Sequence, residues 1–235
     1  MAMLATLLDI ILPRVCLLCG SDAIASGLCA DCDLSLVEKK ISSPLCTICG
    51  EPFPDSSGPD HACGICLTRT PPFTSARSAL AYGGAVLDAV HRFKYSGEVN
   101  LARPLGRLAA GALPPLVPHV IVPVPLHPGR LRERGFNQSL LLSRELSKIL
   151  NAPVDYASLR RVRQTEQQSS LTAEERKKNV AGAFGVIAPG AFNGKTVLLV
   201  DDVYTTGATV MECARALKKD GATVAALTLA RALKV

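Results

Sequence analysis

Hydrophobic and polar positions along the chain follow two periods that alternate over most of its length. Val197, Leu198, Leu199 and Val200 form an unbroken apolar run, the pattern of a strand buried on both faces of a parallel sheet. Beyond it Val210, Cys213, Ala214 and Leu217 recur at i, i+3, i+4 and i+7, which predicts a helix with Cys213 in the core and Gly221 as its stop. The same reading predicts a strand around Ala76 to Tyr82, helices over Ala85 to Lys94 and Leu101 to Ala112, and a strand around Val120 to Val124. A helix from Asn137 to Leu150 and a last strand around Ala222 to Ala230 complete the series. Elements in this order make an α/β fold with one parallel-dominated sheet flanked by helices.

Three stretches fall outside this alternation. The first, MAMLATLLDIILP, is apolar but short, lacks a basic leader and contains Asp9, so it predicts a packing helix rather than a signal peptide or a membrane span. The second, TRTPPFT from Thr68 to Thr74, reads as a linker and sets a boundary between a unit over residues 1–70 and a domain over residues 71–235. The third, from Leu159 to Phe184, is long and polar, which makes it either a lid or a surface loop. Thr172 with Glu175 forms a capping box for a short helix within it, and Arg163 with Gln167 could reach phosphates on closure.

Composition refines this outline. A chain of 235 residues that is 48% apolar can bury one ordinary core and support a small accessory unit. The absence of Trp and an aromatic content of 4% argue against broad base-stacking surfaces. The net charge of +6 suits phosphate-rich ligands or nucleic acid, and equally suits an ordinary soluble surface.

The cysteines mark the accessory unit. Eight of nine lie in four Cys-x-x-Cys pairs, Cys16/Cys19, Cys29/Cys32, Cys46/Cys49 and Cys63/Cys66, separated by nine, thirteen and thirteen residues. Each pair lets a tight turn aim two sulfurs at one Zn²⁺, and Gly20 and Gly50 follow two of the turns to help close a knuckle. The spacing fits two closed, structural four-thiolate sites, a double zinc ribbon, with one or two Zn²⁺ and sequential or interleaved pairing all open. Without a secretory context such pairs favour metal over disulfides, which implies a cytoplasmic chain.

Chemistry concentrates where strands end. Asp201 and Asp202 follow the apolar run, at the sheet edge where ligands of open α/β folds bind, and two carboxylates there suit the vicinal hydroxyls of a ribose. Thr205, Thr206, Gly207, Ala208 and Thr209 then supply hydroxyls and a permissive backbone before a helix N-terminus, a phosphate site. Pro123 and Pro125 end the strand over Val120 to Val124, so Leu126, His127, Gly129 and Arg130 form a loop at the same edge. Arg130, Arg132 and Arg134 bring guanidinium forks that match phosphate oxygens. In HRFKYSG, Lys94 and Tyr95 sit at a helix end, where Lys94 also answers the helix dipole.

VLLVDDVYTTGAT resembles the thirteen-residue phosphoribosyl-pyrophosphate (PRPP) motif of type I phosphoribosyltransferases. Together with the cysteine pairs, FKYSG, VPVPLHPGRLRERGFNQS, RVRQTEQQSSL and ERKKNVAGAF, it makes nearly the whole chain similar to the ComF/GntX family of competence-associated, phosphoribosyltransferase-like proteins. The resemblance implies a type I phosphoribosyltransferase fold behind a zinc ribbon, a cytoplasmic setting, and single-stranded DNA or DNA-uptake proteins as partners. Carried over by position, Asp201 and Asp202 would be the catalytic pair on the ribose of PRPP, with Val203 and Thr205 to Thr209 around its 5′-phosphate. Pro125 to Arg130 would form the pyrophosphate loop, with Arg130, Arg134 and Arg163 as ligands and Mg²⁺ accompanying PRPP. Thr205 departs from purine-salvage members, which place an Asp there to face the base, so the nitrogen acceptor stays unidentified. Transfer of the phosphoribosyl group, and non-catalytic sensing of PRPP or a nucleotide by a module whose zinc ribbon and basic loops contact DNA or a competence partner protein, are both compatible with these residues.

Overall fold

Four parallel strands in the order β1-β6-β5-β2 form the main sheet: β1 (Ser75–Ala81), β2 (Val120–Pro123), β5 (Thr196–Tyr204) and β6 (Thr223–Arg231). The computed structural model describes residues 15–24, 27–55, 57–163 and 173–233. The helix expected over residues 1–13, Gln167 and the capping residue Thr172 lie outside them.

Parallel strands cannot be joined by tight turns, so helices cross over both faces and both faces must be apolar. β5 shows the consequence residue by residue. Leu198 and Val200 join a core formed with α3 (Ala85–Tyr95), α4 (Ala102–Ala110) and α6 (Gln138–Leu150). Val197 and Leu199 face the other way, into a core formed with α8 (Ala208–Lys219) around Cys213 and Phe192. All four side chains are sealed from solvent, which is why the run carries no polar position.

β2 ends at Pro123, which pairs with Val200, and the ladder resumes with the Val124 N–H donating to the Val200 carbonyl at 2.9 Å. Past it the structure corrects one expectation. Residues after Pro125 form not a loop throughout but a short helix, α5 (Pro128–Arg134). Pro128 presets the first helical φ, the His127 Nδ1 accepts the Gly129 N–H at 3.2 Å, and Gly135 ends the helix at φ +78°. No residue of α5 is buried, so it leaves no apolar periodicity to read.

The polar excursion is anchored at both ends. β3 (Leu159–Arg161) and β4 (Phe184–Val186) pair antiparallel, apart from the main sheet, and α7 (Ala173–Val180) lies between them in sequence.

The cysteine-rich segment carries α1 (Ala30–Val37) and α2 (Gly64–Thr68), which start directly after Cys29 and Cys63. Its thiols gather sequentially, Cys16, Cys19, Cys29 and Cys32 in one cluster and Cys46, Cys49, Cys63 and Cys66 in the other, with all sulfurs of a cluster within 4.8 Å. The Cys19–Cys29 and Cys49–Cys63 sulfurs stand 3.6 and 3.9 Å apart. A tetrahedral Zn²⁺ with thiolates at about 2.3 Å needs roughly this separation, so the donors fit the ion. Backbone N–H groups of Cys49 and Cys63 point at the Cys46 sulfur (3.4 and 3.3 Å), orienting it as a thiolate.

This segment is bound tightly to the sheet despite the proline-rich stretch that follows it. Backbone bonds from Ile41 to Ala79 (2.9 Å), Ala81 to Lys39 (2.7 Å) and Ala76 to Ile48 (2.7 Å) cover the outer edge of β1. At Gly50, φ +70°, a Cβ would strike the Ala76 carbonyl, so only glycine allows this approach. Among the described residues no helix is long and apolar enough to cross a membrane.

Metal analysis of the purified chain should return two Zn²⁺, falling to one in Cys16→Ser and to one in Cys46→Ser. A single Zn²⁺ in the unsubstituted chain would contradict two separate clusters.

Candidate functional site

The carboxyl ends of β2 and β5 and the N-termini of α5, α6 and α8 meet around a cavity of about 560 Å³. β5 runs on to Tyr204, which carries Asp201 and Asp202 inside the strand's last half, where the backbone is fixed. The Ser139 hydroxyl, in the first turn of α6, donates to Asp201 Oδ1 at 3.0 Å, and the Asp202 N–H donates to the same oxygen at 2.9 Å. Asn137 caps α6 by accepting from Ser139 N–H at 2.9 Å, and its amide donates to the Val124 carbonyl at 3.0 Å, so the same residue ties α6 to the end of β2. Lys94, in the last turn of α3, reaches across to Asp202 Oδ2 at 2.9 Å.

These contacts leave the two acids in different electrostatic states. Burial, then the adjacent Asp202 charge, pushes the Asp201 carboxyl up to about 7, against the pull of the Asp202 N–H, Lys94 and Ser139. Burial alone would push Lys94 down, but the Asp202 and Asp201 carboxylates outweigh it and hold the ammonium above its ordinary range. Asp202 is thus paired with a cation while Asp201 sits near half-ionisation at neutral pH.

Behind the acids the chain turns into α8 at Gly207, φ +72°, with the Thr206 hydroxyl accepting the Ala208 N–H at 3.4 Å. The Tyr204 ring occupies the space a side chain at position 207 would need, so the turn is closed to any residue but glycine. Gly207, Ala208 and Thr209 line the cavity at the positive end of α8, a setting that favours an anion.

Arg130 and Arg134 approach from α5. The Arg134 guanidinium lies over the Tyr95 ring, 4.9 Å from its centre, and donates to Gln138 Oε1 at 2.8 Å, which fixes its direction. Of the residues expected from the sequence, Asp201, Asp202, Val203, Thr205, Gly207, Ala208, Thr209, Arg130 and Arg134 line the cavity. Thr206 serves the turn without lining it. Arg163 is placed elsewhere: its guanidinium holds the carbonyls of Asn179 and Ala181, both at 2.9 Å, and Arg161 lines the cavity instead. Ser139 and Arg161 escaped sequence reading, and so did the pairing of Lys94 with Asp202; only the GFNQS and FKYSG runs hinted at the first and last. The set can hold a molecule with vicinal hydroxyls flanked by two anionic groups, one at the α8 turn and one by the α5 arginines.

Residues 7–67 match the double zinc ribbon domain family, and residues 137–234 match the phosphoribosyl transferase domain family. The chain is 34% identical over 219 residues to the DNA utilization protein YhgH of Escherichia coli K12, covering 89% of this chain and 93% of that protein. It is 34% identical to competence protein F of Haemophilus influenzae, covering 83% of this chain and 86% of that protein. Among solved structures, the allosteric regulatory enzyme of purine biosynthesis is similar at 20% identity and a TM-score of 0.37, over 53% of this chain and 24% of that one. With its paired four-cysteine clusters ahead of a parallel sheet that carries Asp201 and Asp202 near the end of one strand, the chain belongs to the ComF family, a double zinc ribbon joined to a phosphoribosyl transferase domain.

Proposed function

We propose that the cavity binds PRPP and that the chain transfers its phosphoribosyl group to a nitrogen acceptor. The observation that carries this reading is the pair Asp201 and Asp202, fixed at a strand end between a helix N-terminus and the α5 arginines. Ribose hydroxyls would donate to the two carboxylates, the 5′-phosphate would lie on the turn from Thr205 to Thr209, and the pyrophosphate would face Arg130 and Arg134. Displacement breaks the bond between the anomeric carbon and the pyrophosphate oxygen and forms a bond from that carbon to nitrogen. Positive charge develops on the sugar and negative charge on the leaving group. Asp201 and Asp202 hold the ribose and oppose the first, and the arginines oppose the second. The carboxylates are also the hard oxygen donors available to Mg²⁺ carried on the pyrophosphate, which would add to leaving-group stabilisation.

Residues 1–70 and 71–235 would form the zinc-binding and transferase units. Eight cysteines poised as metal ligands require a compartment that keeps thiols reduced, which supports a cytoplasmic protein. The relatives' names, concerned with competence and DNA utilization, support a role beside single-stranded DNA or the uptake machinery.

A second reading, PRPP sensing without turnover, is favoured by Thr205, whose hydroxyl cannot take a proton from an acceptor at neutral pH.

Incubation with PRPP, Mg²⁺ and a panel of bases and amines should release pyrophosphate. Asp201→Ala should slow release by roughly ten- to hundredfold, the scale of hydrogen bonds to a charged group. Equal release by both proteins contradicts transfer at this site; binding without release selects the sensing reading.

Asp201 also predicts a pH-dependent stability. Its carboxyl titrates near 7 when folded and near its ordinary value, about 3.9, when unfolded. The folded state therefore binds the proton more tightly, and this contribution, complete below about pH 4, is lost as pH rises through about 7. Asp201→Asn keeps an oxygen for Ser139 and the Asp202 N–H without the charge, so its Tm should exceed that of the unsubstituted chain more at pH 8 than at pH 5. An equal gain at both pH values, or none, contradicts the raised carboxyl.

A further inference from the structure

A second buried charge lies at the same sheet edge and plays no part in the reaction above. Arg231, the last residue of β6, is only 3% exposed. Its guanidinium donates to Glu51 Oε2 through Nε and Nη2, at 2.9 and 2.6 Å, and to the Cys49 carbonyl through Nη1 at 2.8 Å. The flat face of the same group covers the Tyr204 ring, 4.1 Å from its centre. Tyr204 is itself buried, directly opposite Arg231 in the β5–β6 register.

The two sides of this stack belong to different constructions. Cys49 is one of the four thiols of the second cluster, and Glu51 follows it across the Gly50 turn. On the far side, the Tyr204 hydroxyl fills the place of a Cβ at Gly207, so the ring bears on the backbone where α8 begins. Contacts run without a gap from a metal-site knuckle through one cation and one ring to the turn that faces the cavity.

We propose that Arg231 is a positioning residue that couples the second four-cysteine site to the phosphate turn, setting the angle of the Thr205–Thr209 backbone through Tyr204. The proposal rests on the PRPP reading, since that reading assigns the turn to a phosphate. A folded knuckle keeps the Cys49 carbonyl and Glu51 in place, these hold Arg231 flat, and Arg231 presses Tyr204 against Gly207. An arginine serves because its planar fork satisfies three bonds in one plane and leaves a face for the ring; lysine can answer Glu51 but cannot do both. Loss of the second metal would then loosen phosphate binding at a distance, while the first cluster, packed beside α3, would not.

A purely structural ion pair would affect every ligand alike, so the test compares two ends of the cavity. Calorimetry with Mg²⁺ would measure ribose 5-phosphate, a probe of the turn, and inorganic pyrophosphate, a probe of the α5 arginines, alongside zinc content. Arg231→Lys, Tyr204→Leu and Cys46→Ser should each weaken ribose 5-phosphate by about tenfold, the scale of a desolvated cation–π contact, and leave pyrophosphate within about twofold. Arg231→Lys and Tyr204→Leu should keep both zinc ions, and Cys16→Ser should lose one without changing ribose 5-phosphate affinity. Unchanged ribose 5-phosphate binding in Arg231→Lys and Tyr204→Leu, or parallel loss of both probes, overturns the coupling alone. Failure of the unsubstituted chain to bind ribose 5-phosphate overturns both the coupling and the PRPP reading.

Discussion

Parallel pairing governs this molecule, because a parallel strand must be followed by a crossover before the next can be laid beside it. The carboxyl ends of β1, β2, β5 and β6 therefore collect at one edge, together with the N-termini of α5, α6 and α8. That edge receives the backbone N–H groups of three helix starts. It also receives the polar and charged side chains Asp201, Asp202, Tyr204 and Arg231 from toward the ends of the strands. The zinc-binding segment closes the outer side of β1 and reaches the same edge through Cys49 and Glu51, so metal site and cavity share one frame.

Placing two carboxylates side by side in such a frame is costly, and the protein divides the cost unequally. Asp202 has Lys94 against it at 2.9 Å, while Asp201 accepts from neutral donors, the Ser139 hydroxyl and a backbone N–H. The result is one acid held against a cation and one that is lifted to about 7 by burial and by its neighbour. A ligand that brings two hydroxyl donors would relieve the strain on Asp201 directly. Stability given up at Asp201 would become affinity for such a ligand, the usual relation between a strained site and its function.

What the sequence disclosed, and what it hid, follows from whether the partners in an interaction are neighbours along the chain. The strand at Val197 to Val200, the turn at Gly207 and the helix through Cys213 are contiguous, and each could be read from local pattern alone. Helix α5 could not, because it buries nothing and its Pro-Gly start looks like a turn. The Ser139–Asp201 bond spans 62 residues and the Arg231–Glu51 pair 180, distances over which no periodicity carries information. The four Cys-x-x-Cys pairs were plain, but their grouping was not, since the spacings allow more than one; only the folded turns bring the first four thiols together and the last four together. Arg161 and Arg163 lie two positions apart, at the end of a short strand and just beyond it, and the structure turns the first rather than the second toward the cavity.

The central claim is that Asp201 and Asp202 are a ribose clamp. A crystal structure of the chain with PRPP and Mg²⁺ tests it most directly. The account predicts the ribose 2′- and 3′-hydroxyls within hydrogen-bond distance of the two carboxylates, the 5′-phosphate on the backbone from Thr205 to Thr209, and the pyrophosphate toward Arg130 and Arg134. PRPP bound with its ribose away from both acids, or a cavity that stays empty at saturating PRPP, would contradict it.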